Sequence, residues 1–354
     1  MTTAFDPIKL GDAELKNRIA MAPMTRSRAY GPEQSPTPLM AEYYAQRAGA
    51  GLIITEGTQP SVIGQGYPAT PGLHNRTQTA AWRQVTDTVH ERGGVIFAQL
   101  MHTGRVAHPA NYAEPLTPVA PSAVRAQGQV FTPGGLRDLV QPRELTPTEI
   151  TRTIDDFAAA AHNAIEAGFD GVEIHGANGY LLQQFLSSNA NARTDEWGGS
   201  AANRIRFTVE VTKAVTAAIG ASRTGLRISP ANPFNDIAED DPATLYPLLV
   251  DALNPLGLAY LHVMETMAPE LTHVLRSAWK GVFLLNPATP GSATGPGQLQ
   301  LIEDGAADVL TFGSRFIANP DLPHRLATGA PLADTDMTKA YGGDAAGYTD
   351  YPAL

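Results

Sequence analysis

Three hydrogen-bonding side chains stand at the end of one short apolar run, in Val172-Glu173-Ile174-His175-Gly176-Ala177-Asn178-Gly179-Tyr180. Neutral His175 and Asn178 are N–H donors three residues apart, and a glycine-flanked turn can aim both at one point. Two donors converging on a carbonyl oxygen stabilise negative charge that develops there. Tyr180 adds an O–H, a weak acid suited to releasing one proton. Donor, donor and acid together suit the reduction of a double bond conjugated to a carbonyl. A histidine at a strand end also serves often as a structural residue, so the spacing by itself leaves both roles open.

The elements that must position these residues follow from hydrophobic patterning. Apolar, β-branched runs recur at residues 19–24, 51–56, 93–100, 171–174, 225–229, 259–264, 281–285 and 308–312. Most are nearly continuous in hydrophobicity, as strands covered on both faces should be. Helix-like segments fill the gaps at 41–48, 77–92, 148–167, 201–219, 243–253, 269–279, 297–304 and 322–327. Thr146-Pro147-Thr148-Glu149 reads as a capped helix start, and Gly168 and Gly220 as helix stops. Eight alternating strand–helix units predict an α/β (β/α)8 TIM barrel, a single domain over 1–354. A doubly wound sheet is the alternative, but no GxGxxG follows the first strand. Residues 102–144 form a long Pro-, Gly- and Ala-rich connection after the third strand, expected to cap the barrel mouth.

Barrel sites are built where strands end, and there the chain carries Thr25, Glu56-Gly57-Thr58, Gln99, Arg227, Asn286-Pro287 and Gly313-Ser314-Arg315. Arg227, inside an apolar run, requires an anion: either a ligand or a buried carboxylate such as Glu56 or Glu173. Gln99 is either a ligand contact or an amide satisfied by backbone. Thr hydroxyl, amide, guanidinium and imidazole around one cavity could enclose a flat heterocycle such as an isoalloxazine. Gly313 and the N–H groups after it suit a phosphate.

Other chemistries lack their residues. Lys9, Lys16, Lys213, Lys280 and Lys339 are the only lysines, and none is placed for a Schiff base. The nine His show no metal-ligand spacing, and no G-x-S-x-G is present. Glu56 and Glu173 stay open as a glycosidase-like pair. The absence of Cys excludes disulfides, iron–sulfur clusters and thiol nucleophiles. A net charge of −10 disfavours nucleic acid and anionic membranes as partners. With no signal-like start and no run near the roughly 20 apolar residues of a bilayer span, a cytoplasmic location is expected.

With these residues in view the chain resembles the old yellow enzyme family of FMN-dependent ene-reductases over nearly its whole length. It looks most like the bacterial branch of N-ethylmaleimide and pentaerythritol tetranitrate reductases. The resemblance is carried by Asn17–Thr25, Pro38–Met40 with Glu42-Tyr43-Tyr44, His175–Leu186, Arg193–Ser200 with Asn203-Arg204, Ile317–Leu322 and Gly347–Pro352. It implies tightly bound, non-covalent FMN, with NADPH or NADH as hydride donor. Activated alkenes are the implied substrates: α,β-unsaturated carbonyls and maleimides, with nitro compounds as a further class. A nitroester or quinone reductase on the same scaffold is the alternative, or a non-redox ligand-binding barrel were FMN binding lost. The chain is expected as a monomer or homodimer.

Roles carry over by position. The resemblance implies that Pro23, Met24, Thr25, Gly57, Gln99 and Arg227 contact the flavin, with Arg227 near N1/O2. Asn286, Gly313, Ser314 and Arg315 fall at its phosphate end. His175 and Asn178 would bind the substrate carbonyl, Tyr180 would donate the proton, and Tyr67, Met101 and Tyr341 would line the pocket. The chain departs from the family at three places. Met101 replaces a bulky Trp, residues 285–289 replace a glycine-rich phosphate segment, and Ser314 takes the place of an Arg that shifts to 315. Adjacent residues leaving a strand face different ways, so Arg315 is poorly placed for a phosphate.

Overall fold

Sequence-adjacent strands pair in turn until the last meets the first. The computed structural model describes residues 2–354. Its closed barrel comprises Ile19–Met21, Leu52–Ile54, Ile96–Leu100, Gly171–Gly176, Thr224–Ile228, Tyr260–Met264, Val282–Asn286 and Val309–Phe312, every pair parallel. This is the (β/α)8 barrel expected from the alternation. Strand period two sorts each strand into two faces. On the fourth strand Val172 and Ile174 join the large cluster packed with the surrounding helices, while Glu173 and His175 belong to the opposite face.

The barrel interior is stacked in layers. Ala20, Leu52, Ile54, Phe97, Tyr260, Leu284 and Val309 fill its lower half, with Leu10 and Leu15. Those two leucines come from a hairpin, Ile8–Leu10 with Ala13–Leu15, that sequence patterning did not reveal. Tyr260 explains Gly225 on the neighbouring strand, since a Cβ there would lie 2.2 Å from the tyrosine ring. Above this apolar fill the inward residues turn polar.

The helices follow expectation with three differences. The predicted 201–219 helix divides into Ala201–Arg204 and Arg206–Ile219. The 297–304 helix is a 3-10 turn, Pro296–Leu299, followed by Gln300–Glu303. Two short helices, Leu181–Leu186 and Ser314–Ala318, directly follow the fourth and eighth strand ends. The capping box holds: the Glu149 N–H donates to Thr146 Oγ1 at 3.3 Å and the Thr146 N–H to Glu149 Oε2 at 2.9 Å.

The long connection carries an antiparallel hairpin, Gln129–Thr132 with Gly135–Asp138, and a two-residue pairing of Val119–Ala120 with Arg143–Glu144. Its Ala126, Val130 and Leu139 pack with Met101 and Tyr180, over the end of the barrel where those residues stand. The C-terminal tail is tied to the segment after the first strand and to the helix Pro38–Gln46. Arg26 donates to the Gly347 carbonyl at 2.7 Å, and Tyr348 stacks on Tyr43 at 4.0 Å. Among the described residues no helix is long and apolar enough to cross a membrane.

Candidate active site

The catalytic-type loop is fixed by the groups its side chains spend on the protein. Asn178 and Gly179 both have positive φ, 57° and 74°. Asn tolerates that region, and at Gly179 a Cβ would also fall 2.5 Å from the Phe234 carbonyl oxygen. The Asn178 N–H donates to Ser229 Oγ at 2.9 Å, and its carbonyl accepts from Asn235 Nδ2 at 2.7 Å. Asn232 Nδ2 donates to Asn178 Oδ1 at 3.0 Å, which orients the amide and leaves Asn178 Nδ2 as a free donor. His175 Nδ1 accepts the Ala177 N–H at 3.3 Å, so a neutral ring carries its proton on Nε2. Burial, with Arg227 and His262 nearby, pushes the imidazole well below its ordinary range. It is a neutral donor at physiological pH. The two N–H donors expected from sequence therefore exist, each locked in its donating orientation.

Tyr180 caps the helix Leu181–Leu186 and its ring meets that of His175 edge-on at 5.1 Å. Its OH lies 2.9 Å from the Tyr67 OH. Burial raises the Tyr180 pKa, with the Tyr67 contact acting in the opposite direction, so the phenol stays protonated. Met101 packs in the same cluster. Its thioether occupies the space over Gly57, where a Cβ would meet Met101 Cε and Sδ at 2.5 Å. Tyr341 is 62% exposed, so it stands at the rim of this pocket rather than in its wall.

Beneath the loop lies a connected polar layer. Gln99 Nε2 donates to Glu173 Oε1 at 2.8 Å, and Glu173 Oε2 bonds His262 Nδ1 at 2.8 Å. His262 Nε2 continues to Thr311 Oγ1 at 3.1 Å. Burial opposes the charge on Glu173, but His262, Arg227 and Gln99 together hold its carboxyl below the usual range. Because Glu173 is an acceptor, Gln99 must turn Nε2 toward it, and Gln99 Oε1 has no protein partner. Arg227 does not ion-pair with Glu173 or Glu56. Its Nη2 donates to Asn286 Oδ1 at 3.1 Å, and its buried Nε has no partner. That orphan donor asks for an acceptor the protein does not supply. Glu56, fully buried, accepts the Arg26 N–H at 3.2 Å and lies beside Tyr44. Both carboxylates being thus engaged, the glycosidase-like pair fails.

The residues present fit a flavin. Among the described residues Gln99 Oε1 and the hydroxyl of partly buried Thr25 take no hydrogen bond, and buried Arg227 Nε is an unmet donor. Partly exposed Pro23 and Met24 lead from the first strand, and Gly313 leaves open space with Met24 Sδ the nearest atom, 3.8 Å from a Cβ built there. Donor, acceptor and hydroxyl around one opening match the mixed edge of an isoalloxazine.

The family model for NADH:flavin oxidoreductase / NADH oxidase matches residues 3–333. The chain belongs to the old yellow enzyme family. It is similar to an old yellow enzyme homologue from Zymomonas mobilis, with TM-score 0.95 and 41% identity over 100% of both chains. Morphinone reductase in complex with tetrahydroNAD aligns with TM-score 0.94 and 41% identity, over 100% of this chain and 98% of that one. A probable flavin mononucleotide-dependent alkene reductase of Leishmania infantum is 42% identical over 98% of this chain and 96% of its own length. The protein is an FMN-dependent oxidoreductase of this family, and its cofactors are FMN and a nicotinamide.

The phosphate end of this old yellow enzyme is where its sequence departs from the family. A cavity of about 250 Å³ opens beside Asn286, Pro287, Gly313 and Ser314. Arg315 is absent from its lining. As second residue of the helix Ser314–Ala318 it points aside, donating to Asp334 Oδ1 at 2.6 Å. The Arg315 side chain, which falls at the phosphate end by position, is turned from the cavity in this structure. Asn286 lines the cavity, yet both ends of its amide are used, Oδ1 by Arg227 and Nδ2 on the Thr311 carbonyl at 3.3 Å.

Several members of the site escaped the sequence reading: Ser229 and Asn232 behind Asn178, His262 behind Glu173, and Glu265 at the phosphate cavity. A signal existed for two of them. Ser229 directly follows the fifth strand, and His262 alternates with Tyr260 on an otherwise apolar sixth strand. Among the described residues no cluster of three or more His, Cys, Asp or Glu could hold a metal.

Proposed function

We propose that the protein reduces the C=C bond of activated alkenes, α,β-unsaturated carbonyls foremost, at the expense of NADH or NADPH. The observation that carries this reading is the pair of locked donors, His175 Nε2–H and Asn178 Nδ2–H, beside a protonated Tyr180. FMN held by Thr25, Gln99 and Arg227 would supply the hydride chemistry that couples the nicotinamide to the alkene β-carbon. His175 and Asn178 hold the carbonyl oxygen and stabilise the negative charge that gathers on it as the β-carbon is attacked. Neutrality of His175 serves this role, since the ring donates without giving up a proton. Tyr180 delivers its phenolic proton to the α-carbon, and Tyr67, 2.9 Å away, is placed to hand on a replacement. Gln99, Thr25, Gly57, Pro23, Met24 and Arg227 would hold the ring, with the guanidinium of Arg227 balancing negative charge on its reduced pyrimidine edge. Met101, packed against Tyr67 and Tyr180, borders the alkene's space together with Val130 and Leu139.

Binding of a simple phenol to the oxidised enzyme tests the donor pair apart from turnover. The phenolate oxygen takes the place of the carbonyl, and a long-wavelength charge-transfer band reports its stacking on the flavin. His175→Ala with Asn178→Ala is expected to abolish the band while FMN stays bound. A band of unchanged intensity and affinity in the double variant contradicts the assignment.

A further inference from the structure

Beneath the carbonyl-binding loop the barrel buries a carboxylate that the reaction does not itself use. Glu173 is fully buried, two residues before His175 on the inward face of the fourth strand. Its oxygens are taken one each: Oε1 accepts from Gln99 Nε2 at 2.8 Å, and Oε2 lies 2.8 Å from His262 Nδ1. Among the described residues no Lys or Arg forms an ion pair with it. Burying a carboxylate with no cation against it is costly, and a Gln in its place could make both contacts uncharged.

The negative charge is not cancelled by its histidine partner. His262 is fully buried, and its Nε2 lies 3.1 Å from Thr311 Oγ1, whose other acceptor, the Leu285 carbonyl, is farther away at 3.3 Å. A hydroxyl donating to Nε2 leaves the imidazole neutral, with its one proton on Nδ1 and aimed at Glu173. Burial presses His262 below its ordinary range by more than Glu173 lifts it. The layer therefore holds one cation, Arg227, and one anion, Glu173, which act on each other across the buried interior without touching.

We propose that Glu173 sets the reduction potential of the bound flavin. Its fixed negative charge offsets the attraction of Arg227 for electron density at the pyrimidine edge, and so lowers the preference of the site for the reduced form. The inference rests on the reading that Gln99 and Arg227 face the flavin. Glu173 acts through those two side chains, as a positioning residue.

The test is a potential, read on the FMN-loaded chain by anaerobic equilibration with a dye of known potential. Glu173→Gln keeps the length and an oxygen for Gln99 and removes the charge. Its midpoint potential should rise by about 30 mV, a tenfold gain in the preference for reduced over oxidised FMN. A potential unchanged or lowered, with FMN still bound, overturns the proposal and leaves Glu173 as a support for the Gln99 amide alone. Should the variant not fold, wild type decides through nitrogen NMR of isotope-labelled histidine. His262 should be neutral at neutral pH with its proton on Nδ1, whereas an imidazolium would cancel the charge on Glu173 and overturn the proposal equally. A chain that takes up no FMN overturns the flavin reading as well, an outcome distinct from FMN held at an unmoved potential.

Discussion

Replacing Tyr180 by Phe removes one oxygen from a packed site and should separate the two halves of the catalytic cycle. Tyr180 sits 8% exposed among Tyr67, Met101, Val106, Ala126, Val130 and Leu139, so Phe fills the same space. Its hydroxyl is hydrogen-bonded to the Tyr67 OH at 2.9 Å. Loss of one neutral bond costs about 1 kcal/mol of stability, too little to unfold the barrel. The catalytic cost is larger. A positioned general acid contributes roughly 10²–10⁴ in rate, and Tyr67 remains close enough to supply a proton through a water lodged in the vacated position. The lower part of that range is therefore expected, about 10²–10³, or roughly 3–4 kcal/mol in the barrier to alkene reduction. Flavin reduction by NADPH requires no proton from Tyr180 and should change by less than about twofold. Rapid-mixing absorbance measurements under anaerobic conditions read each half-reaction separately. Equal losses in both, or an alkene step that runs at the wild-type rate, would refute the acid role.

Two further outcomes concern stability. Burial raises the Glu56 pKa from 4.5 to about 7, partly opposed by the Arg26 N–H and side chain. The folded state thus binds a proton more tightly than the unfolded one, and stability falls as pH rises from about 4.5 to about 7, by roughly 3 kcal/mol. Glu56→Gln should flatten that slope in urea titrations across the window, and an unchanged slope would show that another group is responsible. Tyr348 is fully buried and stacked on Tyr43 at 4.0 Å beneath the guanidinium of Arg28. Tyr348→Ala should cost about 3–5 kcal/mol and free the tail, which thermal unfolding and limited proteolysis after residue 340 would detect together.

The barrel was legible because its strands are covered on both faces and so read as unbroken apolar runs. Polar residues interrupt them chiefly at and just beneath the cavity, as at Gln99, Glu173 and Arg227. His175, Asn178 and Tyr180 were visible for the same reason: three polar groups close together after such a run. Partners brought in by other elements were harder to see. Asn232 holds Asn178 from a loop 54 residues away, and Glu173 finds His262 across 89 residues, distances over which no sequence periodicity operates. The hairpin Ile8–Leu10 with Ala13–Leu15 was missed because three-residue strands carry too little alternation to register. For Arg315 the sequence itself carried the warning, since adjacent residues leaving a strand face different ways. A single-residue shift at the start of the helix Ser314–Ala318 turns its side chain to Asp334 and away from the cavity.

Reduced flavin in this protein is expected to give its electrons to an activated alkene. The direct measurement is the visible spectrum of the FMN-loaded chain under anaerobic conditions, first with NADPH and then with cyclohexenone. The yellow absorption is expected to bleach with the nicotinamide and to return in full as the enone is consumed, one saturated ketone per flavin. Flavin that bleaches, stays reduced in excess enone and recovers only when oxygen is admitted would contradict it.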